Sequence, residues 1–117
     1  MSQYLETVKQ IIAAWDARDF DTFLDFLTDD IEYHSHVTSP PYLGKQAIRD
    51  FLEQYDTDNA NVVWSLLNYA ENGDKFMVEG RVDQKNTETG EQIIHRYMGI
   101  FEFRDGKVCS WRDYFQK

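Results

Sequence analysis

Three tight-turn signals in the second half of the chain restrict its fold more than any other feature. Asn72-Gly73-Asp74, the run from Thr87 to Gly90, and Asp105-Gly106 separate four segments rich in Val, Ile, Tyr, Trp and Phe. Asn-Gly and Asp-Gly steps favour the positive backbone angles that close hairpins. Strands joined by such short turns must be antiparallel neighbours. The sequence therefore predicts strands over about 61–70, 75–85, 91–103 and 107–116.

The first half has a different period. Tyr4, Val8, Ile11, Ile12 and Trp15 recur at the spacing of one helix face, and Ser2 is a candidate cap. A second short helix is predicted from about Asp21, with Phe20, Phe23, Leu24 and Leu27 inward and Asp29-Asp30 ending it. Residues 31–36 read as a short strand. Ser39-Pro40-Pro41-Tyr42 reads as loop, because two prolines remove donors and restrict the backbone. After Gly44, a third helix presents Ala47, Ile48, Phe51, Leu52 and Tyr55. Helices gathered on one side of an antiparallel sheet make an α+β domain. At 117 residues the chain is expected to be one domain spanning 1–117.

Charge and composition exclude several functions. The net charge is −9, and residues 1–58 hold −8 of it (12 acids, 4 bases). That balance disfavours nucleic acid and anionic membranes as partners. One cysteine, Cys109, permits no internal disulfide and no cysteine-based zinc site. His34 and His36 alternate on one strand, but no acid-rich partner suggests a metal, so neither metal nor cofactor is expected. With no leader-like start and no long apolar run, a cytoplasmic location is expected.

Strand periodicity marks one residue as misplaced. In the last strand Cys109, Trp111, Asp113 and Phe115 share a face, opposite Val108, Ser110, Arg112 and Tyr114. Asp113 is then a carboxylate on an apolar face, which is costly unless paired. In the 75–85 strand Met77, Glu79, Arg81 and Asp83 share one face and Phe76, Val78, Gly80 and Val82 the other. Arg81 and Asp83 are the expected partners of Asp113. Periodicity leaves two readings open, a structural ion pair or a catalytic group in an aromatic pocket.

Glu79-Gly80-Arg81-Val82-Asp83 and Trp111-Arg112-Asp113-Tyr114-Phe115 resemble the two catalytic segments of the limonene-1,2-epoxide hydrolase family. That family lies within the nuclear-transport-factor-2-like (SnoaL-like) superfamily of cone-shaped α+β domains, also described as cystatin-like α+β barrels. The resemblance implies a curved antiparallel sheet with three N-terminal helices. It also implies one-step epoxide hydrolysis to a diol, without cofactor. Asp113 would be the base that activates water, Asp83 the acid, and Arg81 would lie between them. Tyr33 matches the family's water-positioning tyrosine, while Ser35 stands where the family has asparagine. Trp111, Met77 and His95 are the other expected pocket residues. The expected ligand is a small apolar molecule, and a homodimer through the convex sheet face is expected. The superfamily keeps two alternatives open, an isomerase, dehydratase or cyclase, and a ligand-binding or dimerising domain without chemistry.

Overall fold

The computed structural model describes residues 3–35 and 39–115. Three helices and six strands follow in the order α1 (Gln3–Asp16), α2 (Phe20–Asp25), β1 (Leu27–His34), β2 (Tyr42–Leu43), α3 (Lys45–Asp58), β3 (Asn59–Asn72), β4 (Lys75–Asn86), β5 (Gln92–Arg104) and β6 (Lys107–Phe115). The Ser2 cap and His36 lie outside the described residues. Asp19, rather than a residue nearer Asp21, caps α2 by accepting from the Thr22 backbone N–H at 3.2 Å. The Asp29-Asp30 pair lies within β1.

The sheet order is β2-β1-β6-β5-β4-β3. The four long strands form the expected antiparallel meander. The sheet as a whole is mixed and unclosed, because β1 runs parallel to β6. No short turn joins those two strands. The chain between them includes α3 and four strands, which is the crossover that parallel pairing needs.

One face of this curved sheet is covered by the helices. Val8, Ile11 and Trp15 of α1, Phe23 of α2, and Ile48 and Leu52 of α3 are buried with Phe76, Val78, Phe101, Val108 and Trp111 of the sheet. No described helix is long and apolar enough to cross a membrane.

The pairing register corrects which faces belong together. Phe76 sits opposite Phe101, and Phe101 opposite Trp111. Val78 sits opposite Gly99, and Gly99 opposite Asp113. Directly paired residues share a face, so the inner face of β4 carries Phe76, Val78, Gly80 and Val82. That face was expected to be the outer one. Period two separates the two faces of each strand but does not say which face of one strand joins which face of the next. A bulge in β6 adds a second change. Phe103 pairs with Val108 but Glu102 pairs with Ser110, so Val108 and Trp111 both point inward. Cys109 is the extra residue at that bulge. It is half-buried and is not on the inner face with Asp113.

Two glycines in the meander make room for side chains. A Cβ on Gly80 would lie 2.5 Å from the Tyr97 ring, and one on Gly99 would lie 2.7 Å from the Asp113 carboxylate. Overpacking of this kind costs about 1–3 kcal/mol. Gly80→Ala is expected to lower the unfolding free energy by that amount, read as a lower urea midpoint at unchanged slope. A midpoint equal to or above that of the unmodified chain would show that the Tyr97 ring yields freely.

Candidate active site

Between the inner sheet face and the helices lies a cavity of about 450 Å³. Its described walls are unusually aromatic. All three tryptophans of the chain, Trp15, Trp64 and Trp111, line it, with Tyr33, Tyr42, Tyr55, Tyr97, Phe23 and Phe51. Their clustering follows from the topology, because every helix and each of the strands β1, β2, β3, β5 and β6 directs at least one ring to the same space. Trp64 and Trp111 stack with centroids 5.6 Å apart, and Tyr33 lies 4.5 Å from Trp111.

Asp113 is the carboxylate in this wall, and it is 4% exposed. One oxygen accepts from the Tyr33 hydroxyl at 3.0 Å, and the other from the Trp111 indole N–H at 2.9 Å. Trp111 is two residues away on the same strand, so both side chains point to the same face. Tyr33 reaches Asp113 because parallel pairing places it opposite Trp111. Burial pushes the Asp113 carboxyl up to about 7, and the two hydrogen bonds only partly oppose this.

The other polar groups described in the wall include hydroxyls, an amide and an imidazole. Tyr97 accepts from the Trp64 indole N–H at its hydroxyl oxygen, and burial, with the nearby Asp113, holds that hydroxyl well above its ordinary range. Burial pushes the Tyr55 hydroxyl up to about 12. That hydroxyl donates to Gln84, whose amide donates to Asn59 at 2.9 Å. Asn59 in turn donates to the Tyr55 carbonyl at 3.1 Å, closing a ring that fixes Gln84. His95 and Ser35 also line the cavity. Among the described residues no Lys or Arg lines it, and no group of His, Cys, Asp and Glu is arranged to hold a metal.

The expected site residues therefore divide into two sets. Tyr33, Ser35, His95, Trp111 and Asp113 come together at the cavity. Arg81, Asp83 and Met77 do not. The residues of β4 that line the cavity are Val82 and Gln84, which alternate with Arg81 and Asp83. Arg81 and Asp83 pair with each other at 2.7 Å on the outer face, where both are partly exposed. Met77 is on that face too, opposite Ile100. The expected Asp113–Arg81–Asp83 group is thus not assembled. His34 lies 3.8 Å from Glu32 and does not line the cavity. Arg112 points away from the cavity, as expected, and pairs with Glu102.

The sequence reading assigns no site role to Tyr97, Tyr55 or Gln84. The available signal for Tyr97 is its alternation with His95, together with a glycine at a facing position. Helical spacing places Tyr55 on the inward face of the third helix, and for Gln84 the signal lies in tertiary packing alone.

The charge state of Asp113 has a consequence for stability. An unfolded aspartate ionises near 3.9, well below the folded value of about 7. As pH rises between those values the unfolded chain loses its proton first, so Asp113 progressively destabilises the fold and the effect levels off above 7. At about 1.4 kcal/mol per unit, the full penalty is on the order of 4 kcal/mol. An amide can accept from Trp111 and donate to the Tyr33 oxygen, since a hydroxyl serves either way. Asp113→Asn is expected to unfold at a higher temperature than the unmodified chain at pH 8.5, with the gain vanishing near pH 4. A gain independent of pH would contradict the titration assigned to Asp113.

A family model described as a SnoaL-like domain matches residues 8–111. No curated protein matches the chain significantly in sequence. Solved structures do. An NTF2-like protein of unknown function from Burkholderia pseudomallei K96243 is 20% identical, with a TM-score of 0.89 over 99% of this chain and 92% of that one. TerC, co-crystallized with polyporic acid, is 22% identical, with a TM-score of 0.85 over 98% of this chain and 92% of that one. An LEH-like epoxide hydrolase from M. tuberculosis is 22% identical, with a TM-score of 0.79 over 97% of this chain and 83% of that one. At these identities the structural likeness establishes the fold, and the family match over residues 8–111 establishes membership: the chain belongs to the SnoaL-like domain family.

Proposed function

We propose that the protein is an acid–base enzyme in which Asp113 moves a proton within a small, largely apolar molecule, as an isomerase or cyclase does. The observation that carries this reading is the single buried carboxyl of Asp113, held near 7 in an aromatic cavity. A general base works best when its pKa lies near the working pH. Ionised Asp113 would take a proton from carbon beside a carbonyl, leaving an enolate. The neutral acid so formed is the state its dry surroundings favour. It would then return the proton at another position, or after the enolate carbon has attacked a second carbonyl of the same molecule. Tyr97 and His95 offer polar atoms on the same wall for the oxygen that takes up charge.

A second reading is epoxide hydrolysis, supported by the Tyr33–Asp113 hydrogen bond and by the fold shared with the mycobacterial hydrolase. Asp113 would then take its proton from water. The proton for the opening epoxide oxygen would come from Tyr97 or His95, since Asp83 lies on the outer face. A domain that binds a ligand without chemistry would use the same cavity.

Deuterium exchange from heavy water into a panel of cyclic and aryl ketones, followed by NMR, separates these readings. The rate is expected to rise with pH and level off above about 7. It is expected to fall roughly 100–10,000-fold in Asp113→Asn. Arg81→Ala and Asp83→Ala should change it less than about twofold, because a partly exposed ion pair on the far face has little leverage. No exchange, with diol formation from an epoxide panel, would replace this reading with the second.

We propose that the chain forms a homodimer through its outer sheet face. Val63, Ile94, Met98 and Tyr114 lie on the outer sheet face and are 44–56% exposed. Arg96 sits directly opposite Arg81 and has no ion pair among the described residues, so an acid of a second copy would relieve that repulsion. Ile94→Lys with Met98→Glu is expected to convert a dimer to a monomer in sedimentation velocity; an unmodified chain that sediments as a monomer would overturn this.

A further inference from the structure

Aromatic rather than aliphatic side chains dominate the cavity wall, where all three tryptophans and several tyrosines are gathered. Ring faces offer something aliphatic chains do not, a negative potential that attracts cations. The single carboxylate of the wall adds to it. Asp113 accepts two neutral hydrogen bonds and faces no Lys or Arg among the described lining residues. The chain as a whole carries a net charge of −9, which raises the local concentration of cations and lowers that of anions.

We infer that the cavity takes an organic ammonium ion, its charged head against Asp113 beside the ring cluster of Trp111, Trp64 and Tyr33, its apolar body along the remaining rings. The inference rests on the reading of Asp113 as the cavity's acid–base group, and it names the substrate class of that site. An ammonium supplies the charge that the wall itself lacks. Trp111 and Tyr33 already touch Asp113 through hydrogen bonds, so their rings stand beside the carboxylate. At about 450 Å³ the cavity has room for a head group and an attached ring. Among the described lining residues a carboxylate- or phosphate-bearing ligand finds no Lys or Arg and meets Asp113 instead.

Binding is then tied to ionisation. An ammonium attracts the ionised carboxylate and gains little from the neutral acid, so affinity rises with pH through the titration of Asp113. The titratable groups that line the cavity with Asp113 are Tyr33 from β1, Tyr42 from β2, Tyr55 from α3, and His95 and Tyr97 from β5. Burial holds the Tyr33, Tyr55 and Tyr97 hydroxyls neutral over that range. The arginines of β4, β5 and β6 belong to the outer face.

Phenyltrimethylammonium and tert-butylbenzene have nearly the same shape and differ in charge. Their binding to the full chain can be followed by quenching of the three cavity tryptophans. At pH 8.5 the cation is expected to bind at least tenfold more tightly than the neutral molecule. The preference is expected to shrink at pH 5.5 and to fall at least tenfold in Asp113→Asn at pH 8.5. Equal binding of the two probes, or tighter binding of tert-butylbenzene, would overturn the inference. A pH dependence that persists in Asp113→Asn would assign the titration to His95 and overturn the placement at Asp113. Ketone exchange without cation preference would refute this inference alone, and cation preference without exchange would refute the acid–base reading alone.

Discussion

The Asp113 carboxylate, held by one hydroxyl and one indole N–H in a dry aromatic wall, is the interaction on which the rest of the site depends. Its two hydrogen bonds require that β1 run beside β6, so that Tyr33 comes to lie against Trp111. They require a residue without a side chain opposite, which is Gly99. They also require the helices to close the cavity, because an exposed carboxylate would ionise as in water. The parallel pairing, the glycines of the meander and the amphipathic helices thus all act on one charged group.

The arrangement trades stability for chemical readiness. A neutral residue at position 113 would satisfy Tyr33 and Trp111 without a desolvation penalty. Retaining an acid there holds a proton acceptor near neutrality at the wall of the cavity. The same logic applies to Tyr97. Its hydroxyl is kept neutral by burial and oriented by the Trp64 N–H, and its ring occupies the notch that Gly80 leaves. Sites that keep groups in costly states are a common reason that folds fall short of maximal stability.

Much of the fold was legible in the sequence because turns and periodicity are local signals. The four long strands, the three helices and the loop at Ser39-Pro40-Pro41 follow from glycine, proline and apolar spacing, whereas Tyr42, expected in that loop, begins β2. Asp113 was legible as well, since a lone acid among Trp111 and Phe115 breaks the pattern of its strand. What local signals did not carry was the relation between strands. Period two within each strand allows Arg81 and Asp83 on the Asp113 face, and the pairing register moves both residues across the sheet. The two motifs that resemble a catalytic pair carry no register information either. The β6 bulge, which turns Cys109 out of the inner face, depends on pairing with Glu102 and Phe103. Tyr55 and Gln84 reach the cavity through a hydrogen-bond ring closed only in three dimensions.

The central claim is that Asp113 changes charge near neutral pH. Carbon-13 NMR of the chain labelled at aspartate carboxyl carbons, titrated from pH 3 to 9 with Asp113→Asn used for assignment, measures this directly. The account predicts an Asp113 midpoint of about 7. A midpoint near the 3.9 of an exposed aspartate would show that the group is solvated or ion-paired, and would remove the basis for its role.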